Sequence, residues 1–156
     1  RVAAAVVETH AHWCRACLTE VLEPSADRVE PRCRHFGACG GCHYQHLRPS
    51  AQPAVKQGIL LSQLERLGGF RDPHVLPTVP SPSAWDYRNH VQFTQAPEGR
   101  LGFQAARSNR VLPIDECHLP EPTLGALWPA LNLDPIAGLD QDGPGSLGFN
   151  LARGSG

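Results

Sequence analysis

The chain has 156 residues, a formal net charge of −1 and a pI near 6.8, so its overall charge gives no argument for binding nucleic acid or a membrane surface. It shows no signal peptide and no apolar run long enough to span a bilayer. Six cysteines cluster in short motifs, which favours metal chemistry in a reducing cytoplasm over a disulfide framework. We therefore expect a cytoplasmic protein.

The chain has no methionine, even at position 1, and it ends on Gly-Ser-Gly. We therefore expect it to be a piece of a longer protein.

Charge is uneven along the chain. The stretch from Arg88 to Arg110 contains four arginines and the single acid Glu98. These arginines could bind phosphate groups, because the guanidinium carries a planar set of hydrogen-bond donors. A genome that prefers arginine explains their frequency equally well.

The first half of the chain predicts strands, a loop and a helix. Residues 1 to about 23 show the partial alternation of β-strands, and residues 24–50 are a loop dominated by cysteine and glycine. A helix is expected from about Gln52 to Leu67, where Gly68-Gly69 follows. Its apolar residues recur at helical spacing, namely Val55, Ile59, Leu60, Leu64 and Leu67.

The second half predicts an antiparallel meander. In WDYRNHVQFTQ, the apolar side chains alternate onto one face, and they are Trp85, Tyr87, Val91 and Phe93. The polar side chains fall on the other face, and they are Asp86, Arg88, His90 and Gln92. Turns at residues 96–99 and 107–109 lead into RLGFQAA and RVLPI. A short helix near residues 124–131 and a final strand in LGFNLAR complete the expected elements.

The stretch CRHFGACGGCHYQHL carries the chemistry. Cys33, Cys39 and Cys42 have the pattern C-x5-C-G-G-C, and Cys117 follows the third strand of the meander. Three clustered thiolates and one distant thiolate are a common ligand set for a [4Fe–4S] cluster. Glycines between the ligands would let the backbone wrap tightly and aim amide N–H groups at sulfur.

Zinc is the alternative for this motif. Four cysteines also hold zinc tetrahedrally, more often as two C-x2-4-C pairs. Cys14 and Cys17 form such a pair and could join Cys39 and Cys42 in a zinc ribbon. Spacing alone does not decide between the two ligand sets.

These residues resemble a known family. The run EVLEPSADRVEPRCRHFGACGGCHYQHL is similar to the junction between the TRAM domain and the iron–sulfur domain of RNA uridine-C5 methyltransferases of the RlmD/TrmA type. KQGILLSQLERLGGF, YRNHVQF and LGFQAARSNRVLPIDECHL resemble the segments that follow in that family. The resemblance covers about residues 21–131. It implies that a [4Fe–4S] cluster is held by Cys33, Cys39, Cys42 and Cys117.

The resemblance also implies an organisation. Residues 1–23 would be the end of an OB-like TRAM β-barrel, and residues 24–133 would be an α+β iron–sulfur domain with an antiparallel sheet and one or two helices. Residues 134–156 would link to a separate domain that binds S-adenosylmethionine. There a cysteine nucleophile would attack uracil C6 before methyl transfer to C5.

This chain shows no glycine-rich S-adenosylmethionine loop and no cysteine after Cys117. We therefore expect no catalytic or S-adenosylmethionine-binding residue in it, and no activity from it alone. The implied partner is RNA, either 23S rRNA or tRNA, bound by a monomer. The candidate RNA contacts are Arg88, His90, Gln92 and Arg107. A ferredoxin-like electron-transfer module and a zinc-ribbon binding module are the competing hypotheses.

Overall fold

The described residues form two antiparallel β-sheets and two α-helices, which confirms the predicted α+β class. The computed structural model describes residues 1–96 and 99–131, together with the backbone of residues 148–152. Pro97 and Glu98, in the predicted turn, lie outside the described residues. So does the expected linker over residues 134–156, apart from one strand within it.

The first sheet is a hairpin of β1 (Val2–Thr9) and β2 (Cys14–Val21), in agreement with the strands predicted there. The register shifts at two places, which marks two bulges in the ladder. No side chain of either strand is buried. This hairpin therefore presents both of its faces at the surface of the described chain.

The predicted long helix is α1 (Gln52–Arg66), which follows a 3-10 turn at Pro49–Ala51. It ends one residue before the predicted Leu67. None of its side chains is buried, so the apolar stripe of α1 is only partly covered by the described residues. None of the described helices is long and apolar enough to cross a bilayer.

The second sheet contains the predicted meander, with strands β3 (His90–Gln95), β4 (Leu101–Gln104) and β5 (Val111–Pro113). A strand at Gly148–Ala152, β6, lies within the predicted final strand and pairs with β3, so the order is β5-β4-β3-β6. All pairings are antiparallel. The expected short helix is α2 (Pro122–Leu127), continued by a 3-10 turn at Trp128–Ala130.

The core lies against one face of this sheet. In β3, Val91 and Phe93 are buried while His90 and Gln92 are exposed, which confirms the predicted alternation within that strand. The ring of Trp128, from the turn after α2, packs 4.5 Å from the ring of Phe93, centroid to centroid. The exposed side chains of β3 therefore point away from the core.

The alternation predicted to begin at Trp85 is wrong for the residues before β3. Asp86 has a left-handed backbone with φ of 56°, which interrupts the extended run, and Tyr87 is about half exposed instead of buried. The segment pairs instead with the residues that follow Cys117. The Asp86 N–H donates to the His118 carbonyl at 3.0 Å, and the Arg88 N–H donates to the Leu119 carbonyl at 2.8 Å.

Candidate metal centre and nucleic-acid interface

Four cysteines line one cavity of about 840 Å³, which we call the cysteine cavity. They are Cys33, Cys39, Cys42 and Cys117. The first three lie on the loop between β2 and α1, and the fourth lies just after β5. The fold thus brings to one cavity the four cysteines that the family resemblance implies as cluster ligands, across more than half of the chain.

We call the loop between β2 and α1, which carries Cys33, Cys39 and Cys42, the cysteine loop. Backbone hydrogen bonds attach it to the end of β4. The Gly40 N–H donates to the Gln104 carbonyl at 2.9 Å, and the Ala106 N–H donates to the Ala38 carbonyl at 2.8 Å. A Cβ atom at Gly40 would lie 3.0 Å from the Gln104 carbonyl oxygen, tighter than ordinary contact. Glycine at this position therefore allows the loop to approach the strand so closely.

Backbone amides also reach the cysteines. The Gly41 N–H donates to the Cys39 sulfur at 3.3 Å, which confirms for this glycine the predicted amide–sulfur contact. The Gly40 amide does not take that role, because it is used by β4. The Cys33 N–H donates to the side-chain oxygen of the buried Gln45 at 3.1 Å, which anchors the start of the motif.

Burial raises the pKa of three of these thiols, Cys33, Cys39 and Cys117. Neighbouring cysteines raise the pKa of each further, and for Cys117 all three loop cysteines contribute. These contributions agree with the position of all four cysteines on one cavity. Any metal group that binds here must displace protons from thiols.

A cluster of charged side chains joins the cysteine loop to the segment containing Cys117. Arg34 Nη2 lies 3.1 Å from Asp115 Oδ2, and His35 Nε2 lies 2.7 Å from Asp115 Oδ1. The Arg34 backbone N–H donates to Glu116 Oε1 at 2.9 Å. We call these four residues the charge latch. They flank Cys33 and Cys117 in sequence, so the latch draws those two cysteines toward one another.

The latch favours the ionised carboxylates. The hydrogen bond from His35 is the main cause that lowers the pKa of Asp115, and the Arg34 guanidinium adds to it. The backbone N–H of Arg34 is the main cause that lowers the pKa of Glu116. Sequence analysis did not identify this cluster, although opposite charges beside the first and last cysteines were a visible signal.

The predicted RNA contacts also line the cysteine cavity. Arg88 precedes β3, His90 and Gln92 lie on its exposed face, and Arg107 lies in the turn between β4 and β5. Among the described residues that line this cavity, Glu116 is the only carboxylate, and it is held by the latch. The rim of the cavity is therefore locally cationic, although the whole chain carries slightly more acids than Lys and Arg.

The sequence suggests two metal groups for these cysteines, a single zinc ion and a [4Fe–4S] cluster. In the described part of the chain, no three His, Cys, Asp or Glu side chains are placed to hold a single metal ion. Cys14 and Cys17 are exposed on β2 and do not line the cavity, so the zinc-ribbon ligand set is not brought together. A [4Fe–4S] cluster is larger than one ion and takes four separated thiolates. The four thiols that line the cavity supply the number of ligands that such a cluster takes.

The sequence of this chain is similar to segments of several known proteins. The chain is 40% identical over 132 residues to the 23S rRNA (uracil(1939)-C(5))-methyltransferase RlmD of Thiobacillus denitrificans, which covers 81% of this chain. It is 39% identical over 117 residues to RlmD of Nitrosococcus oceani, covering 72% of this chain. An uncharacterized RNA methyltransferase of Chlorobaculum tepidum is 36% identical over 138 residues, covering 76% of this chain.

The match is partial in the other direction. The chain spans 30% of the length of the Thiobacillus relative, 26% of the Nitrosococcus relative and 29% of the Chlorobaculum relative. No protein-family model matches the chain. The similarity therefore concerns a segment of each relative, and that segment includes most of the described fold.

Proposed function

Because the chain belongs to the RlmD/TrmA-type family of RNA uracil-C5 methyltransferases over the segment it shares with these relatives, we propose that it is the part of such an enzyme that holds an iron–sulfur cluster and contacts RNA. The whole protein would transfer a methyl group from S-adenosylmethionine to C5 of a uracil. Its substrate would be 23S rRNA, the RNA named for the relatives, with tRNA as the other substrate known for enzymes of this type.

One observation carries this proposal. The four cysteines and the four candidate RNA contacts line the same cavity, although they come from the cysteine loop, β3 and the residue Arg88 before it, the turn between β4 and β5, and the segment after β5. A purely structural metal site would not need arginine and exposed polar side chains around it. A purely RNA-binding surface would not need four converging thiols.

The cluster would be held by Cys33, Cys39, Cys42 and Cys117. When bound it would supply a covalent link between the cysteine loop and the segment after β5, which closes the chain between residues 42 and 117. The chain's own groups prepare that link. Gly41 directs an amide at Cys39, and the latch holds the backbone beside Cys33 and Cys117. Hydrogen bonds to ligand sulfurs and partial burial also tune a cluster's potential.

RNA would be bound chiefly through phosphate contacts. Arg88 and Arg107 supply the planar donors that suit phosphate, while His90 and Gln92 supply hydrogen bonds from the exposed face of β3. The hairpin of β1 and β2 would be the end of a TRAM domain within residues 1–23. Residues 24–133 would form the iron–sulfur domain, acting as a monomer.

The first experiment measures iron, acid-labile sulfide and zinc in anaerobically purified protein, together with its visible spectrum. About four irons and four sulfides per chain would support the proposal. Zinc without sulfide would reject it in favour of a zinc-binding module. A cluster that undergoes reversible one-electron reduction, in a protein that does not bind RNA, would instead favour a ferredoxin-like electron-transfer module.

The second experiment measures RNA retention by filter binding over a range of salt concentrations. Affinity should fall steeply with salt, because phosphate contacts release counterions. Absence of RNA retention at low salt would reject RNA binding for this chain. The two experiments are independent, so the metal and the RNA parts of the proposal can fail separately.

A further inference from the structure

A second cavity of about 420 Å³ adjoins the cysteine cavity. The two cavities share five lining residues, which are Gly41, Cys42, Gln45, Arg88 and Leu119. The second cavity continues from this shared wall to the start of α1 and to the segment that precedes β3. We call it the aromatic cavity. None of the sequence predictions assigns it a role.

Aromatic rings and cations meet in the aromatic cavity. Tyr44, Trp85 and Tyr87 line it, and Tyr87 is 48% exposed. Lys56, the only lysine of the chain, also lines it and lies with Nζ 5.6 Å from the centroid of the Tyr44 ring. The Trp85 ring has its own cation, because Arg32 Cζ lies 5.4 Å from its centroid. A cation is attracted to the face of an aromatic ring at such distances.

The charge of the aromatic cavity has one sign. Lys56 and Arg88 line it, and its described lining residues include no carboxylate. In a chain with 15 acids and 14 Lys and Arg residues, this is a local departure from the average. It favours a ligand that carries negative charge.

Arg88 is well placed to serve both cavities. Its backbone N–H donates to the Leu119 carbonyl at 2.8 Å, and its carbonyl accepts from the Glu121 N–H at 2.8 Å. These hydrogen bonds hold the Arg88 backbone at the wall that the two cavities share. A phosphate bound at Arg88 would therefore lie between the two cavities.

We propose that the aromatic cavity binds an unstacked nucleotide of single-stranded RNA, next to the RNA that contacts the cysteine cavity. The base stacks on the exposed ring of Tyr87, and Lys56 and Arg88 contact the flanking phosphates. Single-stranded RNA is recognised in this way, by aromatic stacking and a cationic path along its backbone. The volume is within the range of small-ligand sites. This inference rests on the proposed RNA-binding function and extends it to Tyr87 and Lys56.

The test uses the full 156-residue chain and fluorescence anisotropy of a short fluorescein-labelled single-stranded RNA of mixed sequence. The variants are Tyr87→Ala and Lys56→Gln, with Tyr87→Phe and Lys56→Arg as conservative partners. The matched controls are Phe70→Ala, at an exposed aromatic residue, and Arg66→Gln, at the end of α1. Neither control residue lines either cavity.

Tyr87→Ala should weaken binding about tenfold, as expected for loss of one base–aromatic stack, while Tyr87→Phe should stay within about twofold of the parent chain. Lys56→Gln should weaken binding and lower the slope of log affinity against log salt by about 1, while Lys56→Arg should not. The same RNA annealed to its complement should compete poorly, because its bases are already stacked.

Three results would overturn the inference. If Tyr87→Ala and Lys56→Gln bind like their controls while Arg88→Gln binds weakly, RNA reaches the cysteine cavity but not the aromatic cavity. If duplex RNA competes as well as the single strand, no unstacked base is bound. If the parent chain binds no RNA at low salt, the RNA-binding part of the proposed function fails and this inference fails with it.

Discussion

His35 Nε2 lies 2.7 Å from Asp115 Oδ1, a contact between residues 80 positions apart in the chain. Arg34, beside it, pairs with the same carboxylate and with Glu116. The residues that follow Cys33 are thus bound to the residues that precede Cys117. This arrangement places the first and the last cysteine on one cavity through side-chain contacts of the protein itself.

We predict that His35→Ala lowers the urea midpoint of unfolding. The loss should be modest, because Asp115 is half-exposed and solvent screens its interactions. Asp115→Asn should also destabilise, and the double variant should lose less than the sum of the two single losses. The exposed His74, replaced by alanine, is the matched control. Fully additive losses would contradict a direct contact between His35 and Asp115.

A second prediction concerns the close approach of the paired strands β4 and β5. A Cβ atom at Gly102 would lie 2.1 Å from the Leu112 carbonyl oxygen, so Gly102→Ala must displace the backbone. We expect a loss of at least about 2 kcal/mol in the free energy of unfolding, as for overpacking of a core.

Gly58→Ala is the matched control for Gly102→Ala. Gly58 lies inside α1 with no atom within 4 Å of its would-be Cβ, so alanine should stabilise the helix. The expected gain is about 0.5–1 kcal/mol. Urea unfolding followed by circular dichroism measures both variants. Equal effects at the two glycines would contradict the described approach of β4 to β5.

The proposed cluster makes a third prediction. Cys117→Ser should abolish bound iron and sulfide, bleach the visible absorption and lower the melting temperature, because metal binding is coupled to folding. Cys17→Ser should leave all three unchanged, because Cys17 is exposed on β2 and lies outside the cysteine cavity. Metal analysis and thermal melts of both variants provide the measurement. An unaltered spectrum and melt in Cys117→Ser would reject Cys117 as a ligand.

The proposed RNA contacts make a fourth prediction. Arg107→Gln should weaken RNA binding for all sequences alike and reduce the salt slope by about 1, as expected for loss of one phosphate contact. The turn should survive, because arginine and glutamine tolerate the left-handed backbone at this position, φ of 57°, equally poorly. Arg66→Gln is the control. Equal salt slopes for the two variants would exclude a phosphate contact at Arg107.

Local patterns were sufficient for the elements of this fold. Helix α1 ends within one residue of its predicted end. No proline interrupts the run after Pro53, and the Gly68-Gly69 pair follows the helix. The burial of Val91 and Phe93 followed from period-two alternation, since a strand places successive side chains on opposite faces. The amide contact of Gly41 with sulfur followed from a glycine placed between two cysteines.

Patterns failed where distant residues decided the local conformation. The alternation of Trp85 and Tyr87 predicted a continuation of β3. In the structure, this segment pairs with the residues after Cys117, and Asp86 has a left-handed backbone. Tyr87 therefore does not lie on the core face. Periodicity cannot show this, because it contains no information about which segment supplies the hydrogen-bonding partner. The position of Tyr87 in the aromatic cavity has the same origin.

The sequence by itself determined the α+β class and the residues of β3 that face away from the core, because these depend on residue type and on spacing along one element. Only the tertiary structure decided which residues meet. It placed Cys117 beside Cys33 through the charge latch, left Cys14 and Cys17 apart from the cavity, and set Arg88 between two cavities. The physical reason is that such contacts join segments distant in sequence, whose approach is decided by the packing and pairing of the whole chain.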